Sequence, residues 1–182
     1  MKYPFAILIM WILLGCFVSA QDSTITQLTV GDTAPDFTLP YATKDSVASD
    51  DLKLSNLFGN GNIVLAFYPA DWSGGCTKEM CTMRDNFSDL SELNAEVLGI
   101  SGDYEYSHHE WAKHHNLHIK LVSDHAHTVG KKYNSYNDVY GFNKRTVYII
   151  DKYGKIAYID LKYSARDMES FNKLKTALKN LQ

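Results

Sequence analysis

The apolar and polar positions of this chain alternate in blocks that predict a mixed order of strands and helices. Residues 63–68 form a continuous apolar run between the turn Gly59-Asn-Gly-Asn62 and Pro69, which is typical of a strand buried on both faces. Helical spacing follows at four apolar positions, which are Met80, Met83, Phe87 and Leu90. The pattern therefore predicts a strand over 62–68 followed by a helix over 76–93.

The middle of the chain repeats this strand-to-helix order. Apolar runs predict short strands over 97–101 and 119–122. Between them, Ser107 and Glu110 have the spacing of a capping box, which predicts a helix that begins at Ser107 and ends near His115. Asp124 is expected to cap a further helix over 125–133.

The last third of the chain predicts a hairpin and a helix. Two apolar runs, 146–151 and 155–160, flank a short turn that contains Gly154, which indicates a β-hairpin. Ser164-Ala-Arg-Asp167 resembles the start of a helix. The apolar stripe of that helix is predicted to consist of Met168, Phe171, Leu174, Leu178 and Leu181.

Composition narrows the class of protein without identifying it. The 182 residues suit one domain with a sizeable core, and 45% hydrophobic and 21% charged residues are ordinary globular values. The net charge of -3 gives no support for a nucleic-acid partner. Only three arginines occur among the 18 basic residues, so Arg145 does not belong to a general arginine-rich surface.

The first 20 residues have the pattern of an export signal. Lys2 precedes an apolar stretch over 4–14, and Val18-Ser-Ala20 supplies small residues for cleavage before Gln21. We therefore expect a periplasmic or extracellular protein with a single domain over 21–182. Leu13-Leu-Gly-Cys16 offers an alternative, because it resembles a lipobox that would attach the protein to a membrane through Cys16. Leu14 is not the small residue preferred in such a motif, which favours cleavage after Ala20.

Cleavage after Ala20 leaves two cysteines, Cys76 and Cys81, in the mature chain. Cys76 is predicted to lie at the first turn of a helix, where free N–H groups and the helix dipole stabilise a thiolate nucleophile. An inert buried thiol is the competing interpretation. Residues five apart on a regular helix have Cα atoms roughly 8–9 Å apart. Because an unstrained disulfide needs roughly 7 Å or less, the pair fits a redox switch better than a permanent cross-link.

The motif Pro69-x-x-x-Ser73-x-x-Cys76 resembles the active site of the peroxiredoxins. Residues 67–81 are similar to the Q-type branch of that family, also known as bacterioferritin-comigratory proteins, and segments 30–40, 97–103 and 141–151 resemble further parts of it in the same order. The resemblance implies an α/β protein with the thioredoxin-like fold. The expected core is βαβ–ββα with an N-terminal extension and insertions, and it agrees with the predicted order of elements.

The resemblance also implies roles for residues around Cys76. Cys76 would be the peroxidatic cysteine and Cys81 the resolving cysteine, although Cys81 also suits the core of a helix. The Ser73 hydroxyl would contact the thiolate or the peroxide, or would only cap the helix. Pro69 would shield the thiolate, or would only end the strand. Gly74 departs from many Q-type sequences, which carry proline there, so we expect a changed rate with unchanged chemistry.

Two charged residues complete the implied site. Arg145 matches the family's active-site arginine, whose guanidinium favours the thiolate and polarises the O–O bond. The competing interpretation is an exposed residue leading into a strand. Glu79 is a secondary candidate for a polar contact near the site, and an acidic residue in the first turn of a helix also complements the dipole.

All seven histidines lie between His108 and His127, which raises the question of a metal site. Glu110, His114 and His118 follow helical spacing, but no second cysteine pair or carboxylate set completes a ligand shell. A solvated histidine-rich face is the favoured interpretation. Trp72 and the tyrosines near 133–140 are interpreted as packing residues rather than as part of a cofactor cage.

The sequence thus predicts a peroxidase that uses two cysteines and no metal, haem or flavin. Its partners would be a hydroperoxide substrate and a thioredoxin-like or other thiol reductant, and the resemblance implies a monomer. A thioredoxin-fold disulfide oxidoreductase is one alternative, but it would normally carry Cys-x-x-Cys. A copper-handling protein of that fold is another, against which the spacing of Cys76 and Cys81 and the presence of Arg145 both argue.

Overall fold

The computed structural model describes residues 27–182, and the predicted signal segment with Cys16 lies outside the described residues. The strands are β1 (Thr38–Leu39), β2 (Tyr41–Ala42), β3 (Leu52–Lys53), β4 (Asn62–Phe67), β5 (Ala95–Ser101), β6 (Lys120–Ser123), β7 (Tyr136–Asn137), β8 (Phe142–Asn143), β9 (Thr146–Ile150) and β10 (Ile156–Asp160). The helices are α1 (Gly74–Asp85), α2 (Phe87–Glu92), α3 (Glu105–His115), α4 (Thr128–Lys132) and α5 (Glu169–Lys179), and a 3-10 turn covers Leu54–Leu57. In the described part of the chain, no helix is long and apolar enough to cross a membrane.

A six-stranded sheet organises the molecule in the order β10-β9-β4-β5-β6-β2. The central strands β4, β5 and β6 are parallel, and β9 and β10 add the predicted antiparallel hairpin beside β4. Helices α1 and α2 connect β4 to β5, and α3 connects β5 to β6. This is the mixed α/β arrangement of the thioredoxin-like fold, as the sequence predicts.

Strand β4 is buried on both faces, and its side chains divide the core in two. Val64 and Ala66 pack in one cluster with Cys76 and the buried residues of α1 and α5. Ile63, Leu65 and Phe67 point to the other face, where they pack with Tyr133 and Tyr148. The alternation follows from the period of two along a strand. Because β4 is central, the loop after Phe67 is held at the carboxyl edge of the sheet, where open α/β proteins place their sites.

The structure corrects three predicted helix boundaries. The predicted helix 76–93 begins earlier, at Gly74, and is interrupted at Asn86, so that it forms two helices. Helix α3 begins at Glu105 and not at Ser107, whose hydroxyl is used elsewhere. Helix α4 is confined to Thr128–Lys132. Asp124 still accepts a hydrogen bond from the Gly130 N–H, which resembles the predicted capping role.

The terminal helix also begins later than predicted. Ser164 and Asp167 form a local turn, and α5 starts two residues after it, at Glu169. Phe171, Leu174 and Leu178 are buried as expected. Met168 and Leu181 are exposed because they lie outside the regular helix, so their assignment to the apolar stripe was wrong.

Candidate active site

Cys76 lies in the first turn of α1 and is almost completely buried. Its side chain packs against the β4 face that carries Val64 and Ala66. Ser73 occupies the N-cap position through its extended backbone, and its carbonyl accepts the hydrogen bond from the Thr77 N–H. The N–H groups at the start of a helix lack intrahelical partners, so this position favours an anion at the sulfur.

Arg145 contacts the Cys76 thiol although the two residues are 69 positions apart in the sequence. It lies just before β9, which is hydrogen-bonded to β4, and its Nη2 atom is 3.5 Å from Cys76 Sγ. Burial lowers the pKa of Arg145, but its interactions with Glu79 and Cys76 outweigh that effect and the pKa lies above its ordinary value. The guanidinium therefore stays charged beside the sulfur.

Gly75 makes the approach of Arg145 possible. A Cβ atom at this position would lie 3.1 Å from Arg145 Nη2, which is tighter than an ordinary contact. Nothing lies within 4 Å of the corresponding position at Gly74. Of the two glycines, only Gly75 packs closely against the guanidinium.

Glu79 is a fully buried carboxyl group one turn after Cys76, and its Oε2 atom accepts a hydrogen bond from Arg145 Nη1. Burial raises the pKa of Glu79 to about 7, although the positive charge of Arg145 opposes the shift. Its second oxygen, Oε1, is buried without a hydrogen-bond partner among residues 27–182. Glu79 thus holds the guanidinium that touches Cys76. The alternative role as a first-turn acid is wrong, because α1 begins at Gly74 and Glu79 lies in its second turn.

Ser73 and Pro69 lie in the loop between β4 and α1, and the structure tests only part of the role predicted for each. The Ser73 hydroxyl donates to the Ala70 carbonyl at 3.2 Å and makes no side-chain cap. Contact of that hydroxyl with a thiolate or a peroxide stays a prediction. Pro69 is half-buried and lies two residues after the last residue of β4, which is consistent with a role in ending the strand. Its shielding role also stays a prediction.

Cys81 lies on the same helix as Cys76 and packs, half-buried, against the same core cluster. Both thiols are free. Burial raises the pKa of Cys81, while Arg84 opposes the shift and Asp85 adds to it. In the intact helix Cys81 is therefore a protonated thiol on a different side of the helix from Cys76.

A buried polar network fixes the loop that precedes Cys76, and the sequence patterns did not reveal it. The Asp71 carboxylate accepts hydrogen bonds from the Tyr68 hydroxyl at 2.8 Å and from the Ser107 hydroxyl at 2.9 Å. His108 Nδ1 lies 2.9 Å from Asp71 Oδ2. The Asp71 N–H donates to Asp103 Oδ2 at 2.9 Å. The loop is thereby attached both to α3 and to Asp103 in the turn between β5 and α3.

This network explains why the predicted capping box does not form. The buried Asp71 carboxylate needs donors, and the Ser107 hydroxyl supplies one of them from inside α3. The only signal in the sequence was the pair Ser107-His108 followed by an apolar Trp111. That signal is indistinguishable from a local cap without knowledge of the tertiary partner.

The histidines do not form one solvated face. His108 is fully buried, which contradicts the prediction, whereas His114, His118 and His125 are exposed. Helix α3 ends at His115, so His118 does not continue its spacing. Among residues 27–182 no group of three or more potential ligands could hold a metal ion.

Trp72 is also not a packed core residue. It adopts a left-handed backbone conformation with φ of 59°, and the residue is 54% exposed. The ring rests against His114 and His115, at centroid distances of 5.5 and 6.2 Å. This conformation, which is uncommon for a residue other than glycine, occurs between the anchored Asp71 and Ser73, the N-cap of α1.

Comparison with known proteins finds relatives that all belong to one family. The sequence model of the AhpC/TSA family matches residues 30–159. The chloroplastic peroxiredoxin Q of Sedum lineare is 36% identical over 140 residues, which are 76% of this chain and 72% of that protein. A putative peroxiredoxin bcp of Coxiella burnetii is 38% identical over 136 residues, which are 71% of this chain and 86% of that protein.

The solved structures that resemble this chain belong to the same family. The crystal structure of peroxidoxin BcpB from Mycobacterium tuberculosis matches with a TM-score of 0.75 and 29% identity. The match covers 86% of this chain and 99% of that chain. A reduced 2-Cys peroxiredoxin from Plasmodium vivax matches with a TM-score of 0.73 and 26% identity, over 84% of this chain and 98% of that one.

Proposed function

The chain belongs to the AhpC/TSA family of peroxiredoxins, and from this premise we propose that it reduces hydroperoxides with Cys76 as the nucleophile. The observation that carries the proposal is the 3.5 Å contact between Arg145 Nη2 and Cys76 Sγ at the first turn of α1. A thiolate is the reactive form of cysteine, and a helix start beside a guanidinium is the environment that favours it.

The first step is an attack of the Cys76 thiolate on the terminal oxygen of hydrogen peroxide or an organic hydroperoxide. The S–O bond forms as the O–O bond breaks, and the sulfur becomes a sulfenic acid. The negative charge moves to the leaving oxygen, which takes up a proton and departs as water or an alcohol. Arg145 and the N–H groups of the first turn stabilise that charge, and the Ser73 hydroxyl can add a hydrogen bond after rotation about its side-chain torsion.

The second step uses Cys81. Its sulfur attacks the sulfenic acid of Cys76, a disulfide forms, and water leaves. Because burial raises the pKa of Cys81 and the two thiols point to different sides of α1, this step requires local opening of the helix. A thioredoxin-like or other dithiol partner then reduces the disulfide and becomes oxidised itself.

We further propose that the enzyme acts outside the cytoplasm as a monomer. The location outside the cytoplasm is supported by the signal pattern in residues 1–20, with cleavage after Ala20. Attachment to a membrane through Cys16 is the alternative outcome. The intact mass of the secreted protein distinguishes a start at Gln21 from an acylated Cys16 or an uncleaved Met1. Sedimentation of the same material tests the monomer.

The function is tested by following peroxide consumption with a thioredoxin system as the electron source. Wild-type protein is expected to consume hydrogen peroxide, and Cys76→Ser is expected to consume none while keeping its fold, because the change is nearly isosteric. Most of the activity remaining in Cys76→Ser would refute the mechanism. Insulin reduction by the wild type without peroxidase activity would instead support a disulfide oxidoreductase.

A further inference from the structure

A cleft of about 640 Å³ opens beside the thiol site and extends beyond the residues that the proposed chemistry uses. Gly75, Lys78 and Arg145 line one side, and residues 163–166 line the other. A water-sized molecule occupies about 30 Å³ of liquid volume, so hydrogen peroxide alone needs only a small part of this space. Clefts of several hundred Å³ are typical of sites for larger organic ligands.

The cleft is lined by three cationic side chains, those of Lys78, Arg145 and Arg166. Glu79 opposes the charge of Arg145. Within residues 27–182, neither Lys78 nor Arg166 takes part in an ion pair, so these two supply the net positive charge. The nearby Asp167 does not line the cleft, and its oxygens accept hydrogen bonds from Ser164 and from the Glu169 N–H.

Lys78 is also held in place across the cleft. Its Nζ atom donates to the backbone carbonyl of Arg166 at 2.6 Å, which connects α1 to the segment after β10. An ammonium group has two further donors after this contact is made. The contact places the Lys78 charge at the cleft, and hydrogen-bonding capacity remains for a ligand.

Arg145 joins the cleft to the reactive sulfur. The same guanidinium that lines the cleft has its Nη2 atom 3.5 Å from Cys76 Sγ, and Gly75 directly precedes Cys76. A molecule that contacts Lys78 and Arg166 in this cleft also meets Arg145, the residue that contacts the reactive sulfur.

We propose that this cleft binds the anionic group of an organic hydroperoxide, so that the enzyme prefers substrates carrying a carboxylate remote from the O–O bond. The inference rests on the proposed function and specifies its substrate class. Lys78 and Arg166 hold the carboxylate, and the hydroperoxide end meets Cys76. The sulfur takes the terminal oxygen, the O–O bond breaks, and the alkoxide takes up a proton and leaves as a carboxylate-bearing alcohol.

The test compares kcat/KM for cumene hydroperoxide carrying a para-carboxylate with that for its methyl ester. Wild-type enzyme should prefer the acid by about tenfold, as charge-assisted contacts allow, and added salt should reduce the preference. Arg166→Gln keeps the backbone carbonyl that Lys78 uses and should reduce the ratio severalfold. Lys78→Gln should do the same. Lys179→Gln removes an equal charge from a residue that does not line the cleft and should leave the ratio unchanged.

Equal kcat/KM for acid and ester in the wild type would overturn the inference, and so would an equal loss of preference in Lys179→Gln and Arg166→Gln. Hydrogen peroxide turnover reports on the proposed function separately, since it needs no carboxylate. If no hydroperoxide is consumed at all, the proposed function fails, and calorimetric binding of the para-carboxylated alcohol product still tests the cleft. Binding weakened by Arg166→Gln and not by Lys179→Gln would support the cleft, and equal binding by all three proteins would reject it.

Discussion

Asp71 and His108 form a pair in which neither side chain is exposed to solvent, with His108 Nδ1 2.9 Å from Asp71 Oδ2. Asp71 belongs to the loop that leads into α1, and His108 belongs to α3. The pair therefore fixes the start of the catalytic helix against a different helix. Burying a carboxylate is favourable only when its hydrogen bonds are satisfied, and Tyr68 and Ser107 satisfy the remainder.

Replacing Asp71 by Asn should reduce the free energy of unfolding by about 3 kcal/mol, because it removes one partner of a buried network. Urea unfolding measures the loss. Asp51→Asn removes a charge from an exposed residue and serves as the matched control, with an expected change below about 0.5 kcal/mol. Equal stability of wild type and Asp71→Asn would show that the network does not anchor the loop.

Gly75→Ala should slow the reaction with peroxide severalfold. The added Cβ atom would lie 3.1 Å from Arg145 Nη2, so the guanidinium must shift away from its contact with Cys76. Gly74→Ala is the matched control, since its Cβ atom meets nothing within 4 Å. Stopped-flow measurement of the second-order rate constant distinguishes the two. Identical rate constants for both variants would remove the steric argument.

Arg145→Met should keep the fold and lower the rate of peroxide attack by roughly 30- to 1000-fold. Loss of one preorganised charge contact in such a site raises a barrier by about 2–4 kcal/mol. Lys144→Met removes the same charge from the adjacent exposed residue and should change the rate little. If the two variants have the same rate constant, Arg145 acts only through the overall charge of the region.

Glu79 should make stability depend on pH between about 4.5 and 7. Burial raises its pKa to about 7 from 4.5, so the folded protein binds this proton more tightly than the unfolded chain does. The resulting stabilisation is complete below about pH 4.5 and is lost as the pH rises through 7. The loss corresponds to about 3 kcal/mol.

The measurement is the free energy of unfolding of wild type relative to Glu79→Gln across this pH range. The wild type should lose stability relative to the variant as pH rises. For Glu92→Gln, at an exposed position, the free energy of unfolding should depend on pH in the same way as that of the wild type. A relative stability that rises with pH would instead mean that the ion pair with Arg145 outweighs burial.

Much of the fold follows from the sequence because its strongest patterns are local. Five of the six buried positions of β4, residues 63–67, are apolar, and the turn at Gly154 predicts the hairpin of β9 and β10. Helix boundaries were less accurate, because they depend on tertiary partners. Ser107 has the local pattern of a cap, yet its hydroxyl bonds to Asp71, 36 positions away.

In the site, too, local motifs could be recognised in the sequence and most tertiary contacts could not. Cys76 and Arg145 were found from motifs, and the structure brings them within 3.5 Å. His108 was assigned to a solvated face because its neighbours in sequence are polar, and nothing in the spacing indicates the buried carboxylate that it meets. The cleft between Lys78 and Arg166 was equally hidden, because a lysine and an arginine 88 positions apart carry no joint pattern.

Oxidation should unwind part of α1. Cys76 and Cys81 both lie on this 12-residue helix, where five residues rotate roughly 500° and place the thiols on different sides. A disulfide needs Cα atoms within roughly 7 Å, so the helix cannot stay regular. Met80 and Met83 are fully buried on α1, and exposing either one costs roughly 1.5–3 kcal/mol. The break at Asn86 gives the opened segment a natural end.

Hydrogen exchange over residues 76–86 should therefore be faster in the oxidised protein than in the reduced one, while α5 keeps its protection as an internal reference. In Cys81→Ser no disulfide can form, so peroxide treatment should leave the exchange of this segment unchanged. The sulfenic acid of Cys76 should then persist and proceed to sulfinic acid under excess peroxide. Equal protection of residues 76–86 in both redox states, with the disulfide confirmed by mass spectrometry, would rule out the switch.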